Sequence, residues 1–234
     1  MSIKFQFTTI LLFSLLGPAK AQVVTKQIIT GKIVDTAATY NWFRENVVKL
    51  GLKDLMRSSD PVHFRFWCRN QVLEIWSHDQ KSFRGELVSY TSRHSPNEFS
   101  NSGKEERFLS KHIIIDPDMA TRIYERATEV ALFDIPLQAK IKGYKMGVDG
   151  YSVSLEYAEP LKYSMKDYWS PNSQATVPEA KLIADFETFL ETKLGLREKW
   201  DMFIDGLPKG CYHTGGLTVV CNSKKSARRL RRSH

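Results

Sequence analysis

The sequence predicts an α+β fold, a mostly antiparallel sheet with about three packed helices in a single domain. Three observations carry that reading. Short apolar runs with a period near two recur at 63–91, 108–115 and 151–169. Stretches with three-to-four spacing stand between and around them, at 36–56, 117–130 and 177–194. Hydrophobic residues at 42% and aromatics at 12% describe a chain able to bury a core.

The first residues lie outside that domain. Met1–Ala21 carries Lys4, an apolar run from Phe5 to Leu16, then Gly17-Pro18 and the small-x-small triplet Ala19-Lys20-Ala21. This is the layout of a secretory signal peptide, and its apolar part is too short for the roughly 20 residues of a spanning helix. Cleavage is expected between Ala21 and Gln22, leaving a secreted or periplasmic protein. No cysteine stands directly after the apolar run, so the bacterial lipoprotein route, which needs a lipidated cysteine there, is not expected.

The formal net charge of +8 is unevenly placed. The chain has 34 Lys and Arg; two lie in residues 1–21 and six in 224–234, leaving 26 in the body against 26 acids. The body, 22–223, is therefore neutral, and the basic part is the tail. Lys224, Lys225, Arg228, Arg229, Arg231 and Arg232 sit among almost nothing apolar, which predicts a disordered segment. Such a cluster suits an anionic envelope surface. No aromatic interleaves the cations, so specific nucleic-acid recognition by stacking is not expected.

Within the body, residues 22–34 read as a leading strand or extended arm. Thr36–Met56 reads as a helix with Tyr40, Phe43, Val47, Leu50 and Leu55 on one face, and Gly51 weakens its last turn. His63–Cys68, Val72–Ser77 and Arg84–Thr91 form a three-strand meander, with a turn at Arg69-Asn70-Gln71. Ser92–Arg107 is polar and Gly/Pro/Ser-containing, a linker or a subdomain break. Phe108–Ile115 is a strand. Asp116-Pro117-Asp118 then opens a helix to about Val130: aspartate accepts from the free amides, and proline stands where its missing N–H costs nothing. Tyr151–Tyr157 and Leu161–Trp169 are a strand pair turned by Ala158-Glu159-Pro160. Thr176-Val-Pro-Glu179 matches a capping box opening a helix to Leu194. Gly195 stops it, a short helix near Arg197–Asp205 follows, and Cys211–Cys221 reads as a closing hairpin.

The chemistry-bearing residues are sparse in pattern. No zinc-protease, nucleophile-elbow, phosphate-loop or Cys-x-x-Cys motif occurs. The histidines at 63, 78, 94, 112, 213 and 234 lack ligand spacing, although His63, His78 and His112 could meet across strands; no metal site and no cofactor are expected. Cysteines are odd in number. A three-residue loop at Gly215-Gly216-Leu217 sets Cys211 opposite Cys221 and permits a disulfide, whereas a two-residue Gly-Gly turn forbids it. Cys68 reads as a buried small hydrophobe. Strand aromatics can line a concave site for an apolar or carbohydrate ligand; Trp67, Trp76, Tyr157, Tyr168 and Trp169 are the candidates, with ordinary core packing as the other reading.

The stretch Gly147-Val-Asp-Gly-Tyr through Tyr168-Trp-Ser-Pro171, the capped helix and Leu207-Pro-Lys-Gly-Cys-Tyr-His-Thr-Gly-Gly216 resembles uncharacterised exported proteins of Bacteroidota. That resemblance covers about a third of the chain and implies export; it brings no activity. The function expected is therefore an exported, non-enzymatic binding or interaction protein. The alternatives are an envelope hydrolase whose site assembles from distant residues, and an anionic-surface protein acting through its tail.

Overall fold

In the meander, apolar side chains point to both sides of the strands, so the sheet is covered on both. The structure, a computed structural model, describes residues 27–30, 36–94, 108–174, 176–214 and 218–222. The expected signal peptide and its cleavage point, the polar stretch from 95 to 107, residues 215–217 between the two strands of the closing hairpin, and the basic tail lie outside the described residues.

The elements are β1 (Gln27–Thr30), α1 (Thr36–Lys49), β2 (Val62–Cys68), β3 (Gln71–Ser77), β4 (Arg84–Ser92) and β5 (Phe108–Ile115). They continue with α2 (Pro117–Glu129), β6 (Ser152–Glu159), β7 (Lys162–Trp169), α3 (Pro178–Leu194), α4 (Leu196–Gly206), β8 (Gly210–His213) and β9 (Val219–Asn222). Seven strands form one sheet in the order β1-β7-β6-β2-β3-β4-β5; β8 and β9 form a separate pair. All neighbours in the large sheet are antiparallel except β1, which lies parallel to β7 at one edge. The fold is α+β, as expected.

Helices cover the two faces unequally. On one, α2 and α3 set Ala120, Ile123, Ala127, Ile183, Phe186 and Leu190 against Phe64, Phe66, Leu73, Leu87, Val153 and Leu155. On the other, α1 and the segment after it set Phe43, Val47, Leu50 and Leu55 against Trp67, Val72, Val88, Ala158 and Met165. Full burial of each of the larger of these side chains, the valines, leucines, isoleucines, phenylalanines and methionine, contributes roughly 1.5–3 kcal/mol. No helix among the described residues is long and apolar enough to cross a membrane.

Several expectations need correction. Among the described residues four α-helices are present rather than about three. Gly195, at φ 60°, ends α3 and lets the chain restart as an 11-residue α4 that buries Leu196, Phe203 and Ile204. Similarly, α1 stops at Lys49 because Gly51 adopts φ 67°, and Leu55 is buried from a short 3₁₀ turn instead. The expected capping box does not form. Proline at the first helical position makes Val177 the cap residue, with no side-chain bond, so the Thr176 hydroxyl falls one position early. The β2–β3 turn is two residues, since Cys68 already pairs with Gln71. The start of α2 follows its signal: the Asp116 side chain accepts from the amides of Asp118 and Met119.

Cys211 lies directly opposite Cys221, and the two form a disulfide. β4 and β5, on either side of the polar stretch, pair from Gly85–Ile115 to Ser92–Phe108.

Candidate functional site

Strand alternation on β2 sends Val62, Phe64, Phe66 and Cys68 toward α2 and α3, and His63, Arg65 and Trp67 toward α1. Arg65 is fully buried, so its five N–H groups require acceptors. The register supplies them, because Arg65 stands between Glu74 of β3 and Glu156 of β6. Its Nε donates to Glu74 Oε1 at 2.7 Å, Nη1 to Glu156 Oε2 at 3.1 Å, and Nη2 to the Lys53 carbonyl at 2.6 Å. Tyr163 donates to the other oxygen of Glu156 at 3.0 Å. Beside Glu156 a cavity of about 10 Å³ has room for one water.

The chain of charges continues to the surface. His63 bridges two carboxylates, Nδ1 at 2.9 Å from Asp60 Oδ2 and Nε2 at 2.7 Å from Glu74 Oε1. Both ring nitrogens therefore face carboxylate oxygens. Asp60 also accepts from Lys53 Nζ at 2.7 Å and Ser58 Oγ at 2.8 Å, and its second oxygen meets His78 Nδ1 at 3.1 Å. Burial works to raise the Asp60 carboxyl, but hydrogen bonds from Lys53, His63 and Ser58 outweigh it and hold the group well below its ordinary range. Glu74 behaves alike: burial opposes ionisation, and the His63 bond and the Arg65 charge reverse that. Three buried carboxylates thus face Arg65, Lys53 and the His63 ring. The outermost member of the chain is His78, with 63% of its side chain exposed.

The second place where chemistry gathers is open. Residues 140–148, between the α2–α3 side of the sheet and β6, place Lys140, Lys142, Lys145, Met146 and Val148 in solvent. Val148 is 100% exposed and Met146 67%. The loop is held from behind. Ile141 is buried, the Gln174 side chain accepts from the Lys145 amide and donates to its carbonyl, and Gly147 lies flush on the Trp169 ring, where a Cβ would come within 2.3 Å. Apolar tips are therefore presented by anchored backbone, among three cations and one following acid, Asp149.

The five aromatics singled out in the sequence do not converge. Trp67 is buried beneath Phe43, with ring centroids 4.6 Å apart. Trp76 is half-buried beside His63 at 5.9 Å. Tyr157 and Tyr168 are buried on the opposite face; Tyr157 stacks on Phe133 at 4.3 Å, and the Tyr168 hydroxyl donates to the Pro136 carbonyl at 2.9 Å. Trp169 ends β7 beneath Gly147 and Gly150. Of the histidine trio, His63 and His78 share Asp60, whereas His112 is paired with Glu86 at 3.1 Å. Among the described residues, no three or more His, Cys, Asp or Glu gather as metal ligands. Cys68 is a buried free thiol donating toward Glu187 Oε1 at 3.3 Å.

Sequence reasoning passed over Lys53, Asp60, Arg65, Glu74 and Glu156. The signal available was a charge inside an apolar run, Phe-Arg-Phe, Leu-Glu-Ile and Leu-Glu-Tyr. Comparisons with protein-family models and with curated proteins find no match.

Proposed function

We propose that this chain is an exported, non-enzymatic binding protein that associates with anionic membrane surfaces through the 140–148 loop, aided by its basic tail. The observation that carries the reading is the full exposure of Val148 beside Met146 in an anchored loop with three lysines. Each lysine near an anionic bilayer contributes on the order of 1 kcal/mol, and Asp149 takes back about as much. Burying the Val148 side chain adds about 1.5 kcal/mol. The loop alone gives weak adsorption; six tail cations in the same field make it firm.

Co-sedimentation with vesicles of phosphatidylcholine, with and without about one-third phosphatidylglycerol, tests this. Binding is expected only to the anionic vesicles and should fall with salt. It should weaken in Met146→Ser/Val148→Ser and in Lys140→Glu/Lys142→Glu/Lys145→Glu, and separately on deleting residues 224–234. Equal adsorption of the parent and both loop variants would overturn the loop's role.

A second reading, an envelope hydrolase, is favoured by one feature. His78 is exposed and backed by the buried Asp60 carboxylate, an arrangement that can serve a general base. Turnover of an envelope substrate abolished by His78→Gln would decide for it.

A further inference from the structure

The β8–β9 hairpin meets the end of β4 through two histidines that neither reading uses. His94 follows β4 and His213 ends β8, 119 residues away in sequence, and both are half-buried. Their backbones are held in place. The His94 amide donates to the Cys211 carbonyl at 2.8 Å, the Thr91 hydroxyl donates to the His213 carbonyl, and Arg93 is bridged to Tyr212, whose side chain is buried. The Cys211–Cys221 disulfide locks β8 to β9. The neighbouring Arg93 guanidinium is engaged by the Lys209 carbonyl at 3.2 Å.

On this frame the two rings stand nearly perpendicular, at 81°, with centroids 5.0 Å apart. His94 Nδ1 lies 3.4 Å from His213 Nε2. That exceeds the roughly 2.7–3.2 Å of a good hydrogen bond from a ring N–H. It matches a different arrangement. Two imidazole nitrogens, each about 2.05 Å from one ion and at a tetrahedral angle, stand about 3.3 Å apart.

We propose that His94 and His213 form a two-histidine site for a divalent transition metal, Zn²⁺ or Cu²⁺, that ties the disulfide hairpin to the sheet. Water or a partner's side chain fills the remaining positions. Both rings bind neutral, through His94 Nδ1 and His213 Nε2, with their protons on His94 Nε2 and His213 Nδ1. Acid that protonates either ring expels the ion.

Titration calorimetry of the metal-free protein with zinc chloride at about pH 7.5 tests the assignment. One ion per chain is expected, with binding weakened about tenfold or more by His94→Gln or His213→Gln and unchanged by His112→Gln. A reading independent of variant folding uses the parent protein alone: substoichiometric Cu²⁺ should broaden the ring-proton resonances of His94 and His213 before those of the other histidines. No saturable zinc binding, unchanged binding in the folded double variant, or uniform broadening of all histidines would each overturn the site.

Discussion

A single strand, β2, builds two unlike interiors. Toward α2 and α3 it offers Val62, Phe64, Phe66 and Cys68, and Phe66 meets Phe186 with centroids 5.4 Å apart. Toward α1 it offers His63, Arg65 and Trp67, all three of which meet carboxylates, Trp67 through its indole N–H 3.4 Å from Glu156 Oε2. On the first face stability is additive and directionless, because any well-shaped apolar neighbour contributes. On the second it is conditional. Every charge is tolerable only while all its partners are in place, since an unpaired buried ion costs far more than the pair gains.

The sharpest way to break this contrast is at Arg65. Arg65→Met leaves Glu74 and Glu156 buried without the guanidinium they share, and should lower the unfolding free energy by about 3–5 kcal/mol in urea titrations. Replacing all three together, Arg65→Met with Glu74→Leu and Glu156→Leu, should recover most of that loss. A triple variant as unstable as the single one would show that the charges do more than neutralise each other. On the other face Phe66→Ala should cost a similar amount, about 3–5 kcal/mol, but no companion substitution rescues it short of refilling the volume.

Acid separates the faces next. Asp60 and Glu74 are held below their unfolded values, so the unfolded chain takes up more protons as pH falls. Their contribution is complete above the ordinary carboxylate range near pH 4 and drains away below it. Urea midpoints measured at about pH 7, 5 and 3 should fall on that acid limb, and Asp60→Asn should flatten it. The loss caused by Phe66→Ala should stay constant across the same series.

A smaller effect concerns Cys68, a buried thiol on the apolar face. Burial first, then the Glu187 carboxylate, push its thiol far above the ordinary range. Native protein should therefore react with a thiol reagent only at the rate at which it opens, and a fast native reaction would contradict that placement. Least of all, Met146→Ser with Val148→Ser should leave stability within about 0.5 kcal/mol, since Val148 is wholly exposed and Met146 mostly so, its sulfur meeting the Gln138 side-chain amide.

What could be read from the chain followed the range of the interactions. The start of α2 was legible because Asp116 and Pro117 act within three residues of each other. The start of α3 was misread because Thr176 and Pro178 offer competing local signals, and proline prevailed. Strand positions were legible from alternation, but the order β6-β2-β3 was not, because β2 and β6 are separated by four other elements. For the same reason the aromatics were legible as strand residues and not as belonging to opposite faces. Arg65 and Glu156 could be noticed as charges in apolar runs. That they are partners is a fact of register, and register is set by the assembled sheet.

The Arg65 network also bears on the order of assembly. Arg65 reaches Glu74 across nine residues and Glu156 across 91. Closing a loop ten times longer costs about 2 kcal/mol more in chain entropy, so the local contact is expected first. The hairpin that forms early thus carries a half-neutralised guanidinium, still hydrated on its far side. That favours waiting for β6 over collapsing onto any apolar strand at hand. On this hypothesis Glu156→Gln should speed unfolding while leaving the refolding rate nearly unchanged, and a slowed refolding limb in a chevron would refute it.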